Sequence, residues 1–139
     1  ILGSPELVQV MFQEESVQRI QQMSRVAKMT VVGIGSMGAN ATIIQNGILT
    51  KADFLLLEMQ GAVGDILSHF IDKDGNPIQS SVEQRLLSTP LQELRQMNNV
   101  IGVAGGEDKI EAIHAVLKGQ YLDTLITDEA TAEALLAHE

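Results

Sequence analysis

The chain has 139 residues, enough for one compact domain and small for two. Apolar residues make up 45%, so a core can form; nine basic against eighteen acidic residues leave a net charge of −9, which excludes bulk attraction to a nucleic-acid backbone. With no cysteine, disulfides, thiolate metal sites and cysteine nucleophiles are excluded as well, and aromatics at 3% without tryptophan argue against base-stacking platforms.

The opening "ILGSPEL" has no initiator Met, and Ile1-Leu2 reads as the end of a strand, which predicts a fragment of a longer chain. No signal-peptide pattern stands there, and no apolar run approaches the roughly 18 residues of a membrane span, so a cytoplasmic location is expected. Ser4-Pro5-Glu6 is a helix start: a cap, proline at the first helical position, then an acid. Leu7, Val10, Met11, Val17, Ile20 and Met23 continue at helical spacing. "MTVVGIG", Met29 to Gly35, predicts a buried strand, and "SMGANATIIQNG" is turn-rich with a small apolar centre. Thr50 with Asp53 resembles a capping box for a short helix over "ADFLLLEMQ", although "FLLLE" also suits a strand and periodicity does not decide between them. In "GAVGDILSHFIDKDGNPI", Val63, Ile66 and Ile71 suggest extended chain, and "DKDGNP" is a turn.

Thr89-Pro90 with Gln92 starts a helix over "LQELRQM", ended by Asn98-Asn99. "VIGVA" predicts a second buried strand. Glu107 to Lys118 predicts a helix with Ile110, Ile113, Val116 and Leu117 on one face and Gly119 as its stop. "TLIT" gives a third strand, and a last helix runs from Asp128 or Glu129 to about Ala137. Strands alternating with helices through short links predict an α/β fold with a parallel sheet in one domain.

Four stretches carry candidate chemistry. Gly33-Ile34-Gly35-Ser36-Met37-Gly38 fits G-x-G-x-x-G, with Glu58 twenty residues beyond Gly38, the spacing of a dinucleotide fingerprint. The fingerprint needs a helix opening inside the glycine loop, and "ANATIIQNG" leaves room for barely two turns, so a tight turn is the better reading. Asp65 follows Gly61 and Gly64 inside an apolar stretch; a buried carboxylate needs partners, either backbone N–H groups or the hydroxyls of a bound polyol. His69, four residues on, reads as structural. Asp72, Asp74 and Asn76 resemble the start of a calcium loop, but the glycine comes one place early and no glutamate closes the loop, so no metal site is expected. Finally, Gly105-Gly106 lies at the carboxyl end of a strand, where parallel sheets place ligands. Lys109 follows in the first helical turn, where a cation opposes the helix dipole. It is either a surface lysine paired with Glu107 or Asp108, or one that meets an anionic ligand group.

"VVGIGSM", "GAVGDIL", "FIDKDGNPI" and "VIGVAGGEDKIEAIHAVLKGQYLDTLITDEATA" resemble, in that order, the effector-binding domain of the SorC family of bacterial transcriptional regulators, from about Leu2 to Leu136. The resemblance implies a Rossmann-like parallel sheet flanked by helices, similar to sugar-phosphate isomerases and deaminases, acting as a sensor of a sugar or sugar phosphate. It implies that Asp65 accepts from sugar hydroxyls, that Lys109 meets a phosphate or another oxygen, and that Gly105 and Gly106, with Gly35 of the earlier turn, let the backbone approach. It also implies a helix-turn-helix and a first half of the effector domain ahead of this segment, so that operator DNA is reached only from outside residues 1–139. No cofactor and no catalytic residue are expected. A dimer or tetramer is expected, with Leu86, Leu87, Leu91 and Leu94 offering apolar surface for it. The alternatives are a sugar-phosphate isomerase or deaminase using Asp65 as base and Lys109 as electrophile, and a dinucleotide enzyme using the Gly33 loop.

Overall fold

The computed structural model describes residues 1–38 and 41–138; Ala39 and Asn40 of the turn-rich stretch, and Glu139, lie outside the described residues. Among the described residues two three-stranded sheets share the main core. The first is parallel, in the order β1 (Thr30–Gly33), β5 (Val100–Val103), β6 (Thr124–Ile126). The second is antiparallel, in the order β2 (Gly35–Ser36), β3 (Gly64–Ile66), β4 (His69–Ile71). "MTVVGIG" therefore serves both sheets: the chain leaves the parallel ladder at Gly33, buries Ile34, and enters the antiparallel ladder at Gly35.

Eight α-helices accompany the strands among the described residues. The helical pattern after Ser4 is two helices, α1 (Pro5–Gln13) and α2 (Glu15–Arg25), because Glu14 takes extended backbone at φ −65° and ψ 132°. Ser4 caps α1 by accepting from the Leu7 N–H. α3 (Thr42–Gln45) is a single turn, and α4 (Lys51–Met59) resolves the "FLLLE" ambiguity in favour of a helix. The Thr50 hydroxyl accepts from the Asp53 N–H, so the cap decides what periodicity could not. α5 (Ser81–Gln84) is a further single turn, capped by Ser80, and α6 (Leu91–Gln96) follows Pro90. After β5 a 3₁₀ turn, Glu107–Lys109, leads into α7 (Ile110–Lys118), and α8 (Glu129–Ala137) is capped by Asp128.

The main core lies between one face of the parallel sheet, the β3–β4 hairpin and α6–α7: Val32, Val100, Ile66, Ile71, Leu94 and Ile113 are all at most 4% exposed. Each such side chain contributes about 1.5–3 kcal/mol by leaving water. A second cluster forms under the hairpin around Phe54, Leu57, Phe70 and Val82. Leu86, Leu91 and Leu94 are buried at 8%, 6% and 1% exposure and Leu87 is half-buried, so "RLLSTPLQEL" mainly supplies the interior and not the free apolar surface expected of it. The "DKDGNP" turn is closed by its own residues: Asp72 accepts from the N–H groups of Asp74 and Asn76, and the Tyr121 hydroxyl donates to the Gly75 carbonyl. Gly75 is required there, at φ +81° and packed against the Ala115 carbonyl.

Candidate functional site

The carboxyl ends of the parallel strands converge on Ile34, Ala104–Gly106 and Thr127–Asp128. The chain's direct passage from β1 into β2 sets the hairpin beside that edge, because β2 pairs with β3 in the register Gly35–Asp65 and Ser36–Gly64. A cleft of about 310 Å³ opens there, lined by Gly33–Ser36, Ala41–Ile43, Ile48, Asp65, Ser68 and Lys109. That is the lower end of small-ligand pockets, roughly 300–1,000 Å³.

Asp65 faces Gly35 across the ladder. A Cβ at position 35 would land on the Asp65 carboxylate, so glycine is what makes room for the acid. One Asp65 oxygen accepts from the Ser68 N–H at 3.2 Å. Burial pushes the Asp65 carboxyl above the ordinary carboxylate range; the Ser68 N–H and the charges of Lys109 and His69 only partly offset this. The β3–β4 connection itself is the two-residue turn Leu67-Ser68, both at positive φ (53° and 66°), a conformation non-glycine residues adopt at a cost.

Lys109 reaches the cleft from the other side. Its ammonium does not stay at the amino end of α7, where the dipole opposes it; the stem carries it back to the Ile34 carbonyl, to which it donates at 2.9 Å. It is neither a free surface lysine nor a partner of Glu107 or Asp108. Ser36 Oγ meets Asp108 Oδ2 at 3.4 Å, a second tie between β2 and the 3₁₀ turn.

Three of the expected residues, Gly35, Asp65 and Lys109, thus line one cleft. Gly105 and Gly106 do not line it. Gly106 opens on a neighbouring cleft of about 380 Å³ with Glu107, Ile110, Asp128 and Thr131. Its N–H donates to Thr131 Oγ1 at 2.9 Å, and Thr131 Oγ1 donates in turn to Asp128 Oδ2 at 2.8 Å. A Cβ at Gly105 would strike the same Asp128 carboxylate. Hydrogen bonds from the Thr131 N–H and hydroxyl hold Asp128 below the usual carboxylate range. The glycines therefore dock the start of α8 onto the end of β5. The signal for this in the sequence was Asp128-x-x-Thr131, a cap spacing inside "LITDEATA".

Ser36 and Ser68 also line the main cleft, and nothing in the periodicity singled them out. Glu58 lies exposed on α4, and no helix opens from the Gly33 loop, since Gly35–Ser36 is a strand. His69 is buried: Nδ1 lies 2.8 Å from Glu83 Oε1 and Nε2 donates to the Thr89 carbonyl at 2.8 Å. Both ring nitrogens are engaged in tying the hairpin to α5 and the loop before α6. Among the described residues no group of three or more His, Cys, Asp or Glu could hold a metal ion, and no helix is long and apolar enough to cross a membrane.

The chain is similar to known proteins along nearly its whole length. The transcriptional regulator LsrR of Klebsiella pneumoniae is 39% identical over 139 residues, covering 98% of this chain and 43% of the relative. The chain thus spans less than half the length of that relative. The full-length sorbitol operon regulator SorC of Klebsiella pneumoniae superposes with a TM-score of 0.87 at 29% identity, over 98% of this chain and 44% of that one. A chain from Vibrio fischeri, described as a "Putative Sugar-Binding Domain of Transcriptional Repressor", superposes with a TM-score of 0.88 at 27% identity, over 99% of this chain and 55% of that one. Residues 1–137 match the family described as "Putative sugar-binding domain", and the chain belongs to that family, the sugar-binding domain of SorC-type transcriptional regulators.

Proposed function

We propose that residues 1–139 are the C-terminal part of the effector domain of a cytoplasmic transcriptional regulator, and that the Gly35–Asp65–Lys109 cleft holds a sugar or sugar-alcohol ligand, phosphorylated or not. The observation that carries this reading is the pairing of opposite charges in one cleft without a direct salt bridge between them. A largely desolvated carboxylate and an ammonium face the same space, and their closest partners are the Ser68 N–H and the Ile34 carbonyl instead of each other. Asp65 then accepts from ligand hydroxyls, and the ammonium donates to a phosphate or hydroxyl oxygen. Gly105 and Gly106 contribute from outside the cleft, by docking Asp128 and Thr131 at the start of α8 against the end of β5. The protein acts as a homo-oligomer, and operator DNA is contacted by a helix-turn-helix outside these residues, in keeping with the charge of −9.

The sensor reading is favoured over an isomerase or deaminase because the matched family is described by sugar binding and LsrR and SorC by regulation. Within the cleft, Asp65 and Lys109 are the ionisable side chains, and His69 is committed to Glu83 and Thr89. The test is calorimetric titration of the protein with a panel of sugars, sugar alcohols and their phosphates, with inorganic phosphate as competitor. Saturable one-site binding, weakened in both Asp65→Asn and Lys109→Met, is the expected result. Turnover of ribose 5-phosphate or glucosamine 6-phosphate overturns the sensor reading, and binding indifferent to both substitutions removes this cleft from it.

A further inference from the structure

The turn that places Asp65 is held from outside its own hairpin. Leu67 and Ser68 both sit at positive φ, 53° and 66°, where non-glycine residues carry strain, and the Ser68 N–H that meets Asp65 at 3.2 Å comes from this turn. Two contacts pin it. The Ser88 hydroxyl donates to the Leu67 carbonyl at 2.9 Å. His69, the residue after the turn and only 6% exposed, is gripped at both ends of its ring: Nε2 lies 2.8 Å from the Thr89 carbonyl and Nδ1 lies 2.8 Å from Glu83 Oε1. Glu83, Ser88 and Thr89 come from one short stretch, and none of them lines the Asp65–Lys109 cleft.

The grip on His69 has a proton count. A carbonyl only accepts, so Nε2 carries a hydrogen. Nδ1 then either carries a second hydrogen toward Glu83 or turns a lone pair onto a carboxylate oxygen at 2.8 Å, which is repulsive. The contact therefore contains one proton more than a neutral imidazole and a carboxylate have between them. Imidazole is about two pH units more basic than a glutamate side chain, so the proton sits on the ring, as an imidazolium beside a carboxylate. The other ionisable groups around the ring are Asp65 on β3, and Arg95 and Tyr121 across the cavity behind the hairpin. Arg95 donates to the Gly119 carbonyl and lies over the Tyr121 ring, so Glu83 is the group that answers the imidazolium. We propose that His69, Glu83 and Ser88 are positioning residues for the cleft: they hold the Leu67–Ser68 turn and through it Asp65, and the hold of His69 depends on the proton it shares with Glu83. This rests on the reading of the Asp65–Lys109 cleft as a ligand site. When the proton leaves, Nδ1 and Glu83 repel, the turn keeps one anchor of two, and Asp65 loses the Ser68 N–H.

The test reads the Ser68 amide, which needs no ligand. Its hydrogen-exchange protection is followed by NMR from about pH 5 to 9 in the parent, Glu83→Gln, Glu83→Ala and Ser88→Ala, against the fully buried Val116 as reference. A glutamine amide satisfies Nδ1 in either protonation state, by its N–H or by its oxygen, so Glu83→Gln keeps the grip without needing the proton. Relative to Val116, Ser68 protection should fall about tenfold or more with rising pH in the parent and stay level and high in Glu83→Gln. It should be low at every pH in Glu83→Ala, and lowered throughout with the slope kept in Ser88→Ala. Asp65 titrates in the parent and in Glu83→Gln alike, so the comparison between them isolates the His69–Glu83 proton. Nitrogen spectra of the His69 ring at about pH 7 should find both nitrogens protonated in the parent. A bare Nδ1 there overturns the shared proton, as does a parent profile as level as that of Glu83→Gln. Ser68 protection that moves only in step with Val116 makes the three residues structural and nothing more. In calorimetry with the sugar panel, Kd should follow the amide, weakening with pH in the parent and not in Glu83→Gln. The amide contrast without any sugar binding sinks the ligand reading and leaves the positioning standing; sugar binding indifferent to Glu83→Ala does the reverse.

Discussion

Lys109→Met removes the ammonium and keeps most of the stem, so it isolates what the charge does. Among the described residues that charge makes one hydrogen bond, to the Ile34 carbonyl at 2.9 Å. Hydrogen bonds to charged groups contribute about 1.5–3 kcal/mol when both partners are buried. Lys109 is only half-buried and Ile34 lines the cleft, so water replaces much of the loss, and a stability decrease of about 1 kcal/mol is expected. Asp65 also loses a favourable neighbour, which raises its carboxyl further above the ordinary range. Binding should suffer more than folding. An anionic or hydroxyl oxygen of the ligand loses a charge-assisted hydrogen bond in a partly dry cleft, about 1.5–3 kcal/mol, or roughly ten- to a hundredfold in Kd. The assay is calorimetric titration with the tightest ligand of the sugar panel, with thermal melts of both proteins alongside. Unchanged affinity in Lys109→Met, in a protein that still melts cooperatively, refutes the placement of the ligand against this lysine.

Gly35→Ala should push the Asp65 carboxylate out of place, costing about 1–3 kcal/mol in a chemical melt and abolishing binding. Gly33→Ala in the same chain meets open space and should stay within about 0.5 kcal/mol of the parent. Asp65→Asn tests the pH linkage. Because burial raises the folded-state pKa, the folded protein holds this proton more tightly than the unfolded chain, so stability from this group is full in acid and is lost as pH rises through the raised value. Melts across about pH 4 to 7 should find wild type losing stability relative to the asparagine variant toward neutral pH; the opposite slope rules out the desolvated carboxylate. Thr131→Val strips the buried hydroxyl that accepts from Gly106 and donates to Asp128, and should cost about 1–3 kcal/mol by denaturant melt. Ser68→Gly relieves a left-handed residue in a two-residue turn and should leave stability unchanged or raise it by up to about 1 kcal/mol, again by melt.

The three strands and the helix after "GGEDK" were legible because each combines an apolar period with its own punctuation: glycines after Val103, Gly119 after Lys118, Asp128 before Glu129. The Thr50 cap carried the information that the run "FLLLE" lacked. What was not legible lies between elements. Nothing in "LLSTPL" distinguishes leucines that fill a core from leucines that cover a partner, because both are apolar and the choice depends on what packs above them. The break at Glu14 and the single turns at Thr42–Gln45 and Ser81–Gln84 are too short to set a period. At the site, Asp65 and Lys109 were legible as chemical types, and the cleft they share was implied only by family resemblance. Their meeting point follows from the switch at Ile34 from one sheet to the other, a backbone event that side-chain periodicity does not encode. Gly105 and Gly106 read correctly as permissive backbone, but that permission serves Asp128 and Thr131.

An ammonium has three N–H donors, and the Ile34 carbonyl takes one of them. Among the described residues the remaining donors make no hydrogen bond, so they can turn toward a guest without breaking the contact already made. The carbonyl acts as a jig: it fixes the four-carbon stem in one rotamer before any ligand arrives. A lysine side chain that is ordered only on binding gives up roughly 1 kcal/mol of rotamer entropy at that moment. Here much of that loss is incurred during folding instead, which is about fivefold in affinity for the same contacts. Because the acceptor is main chain, no side-chain substitution at position 34 removes it, and the lysine stays preorganised whatever side chain stands there.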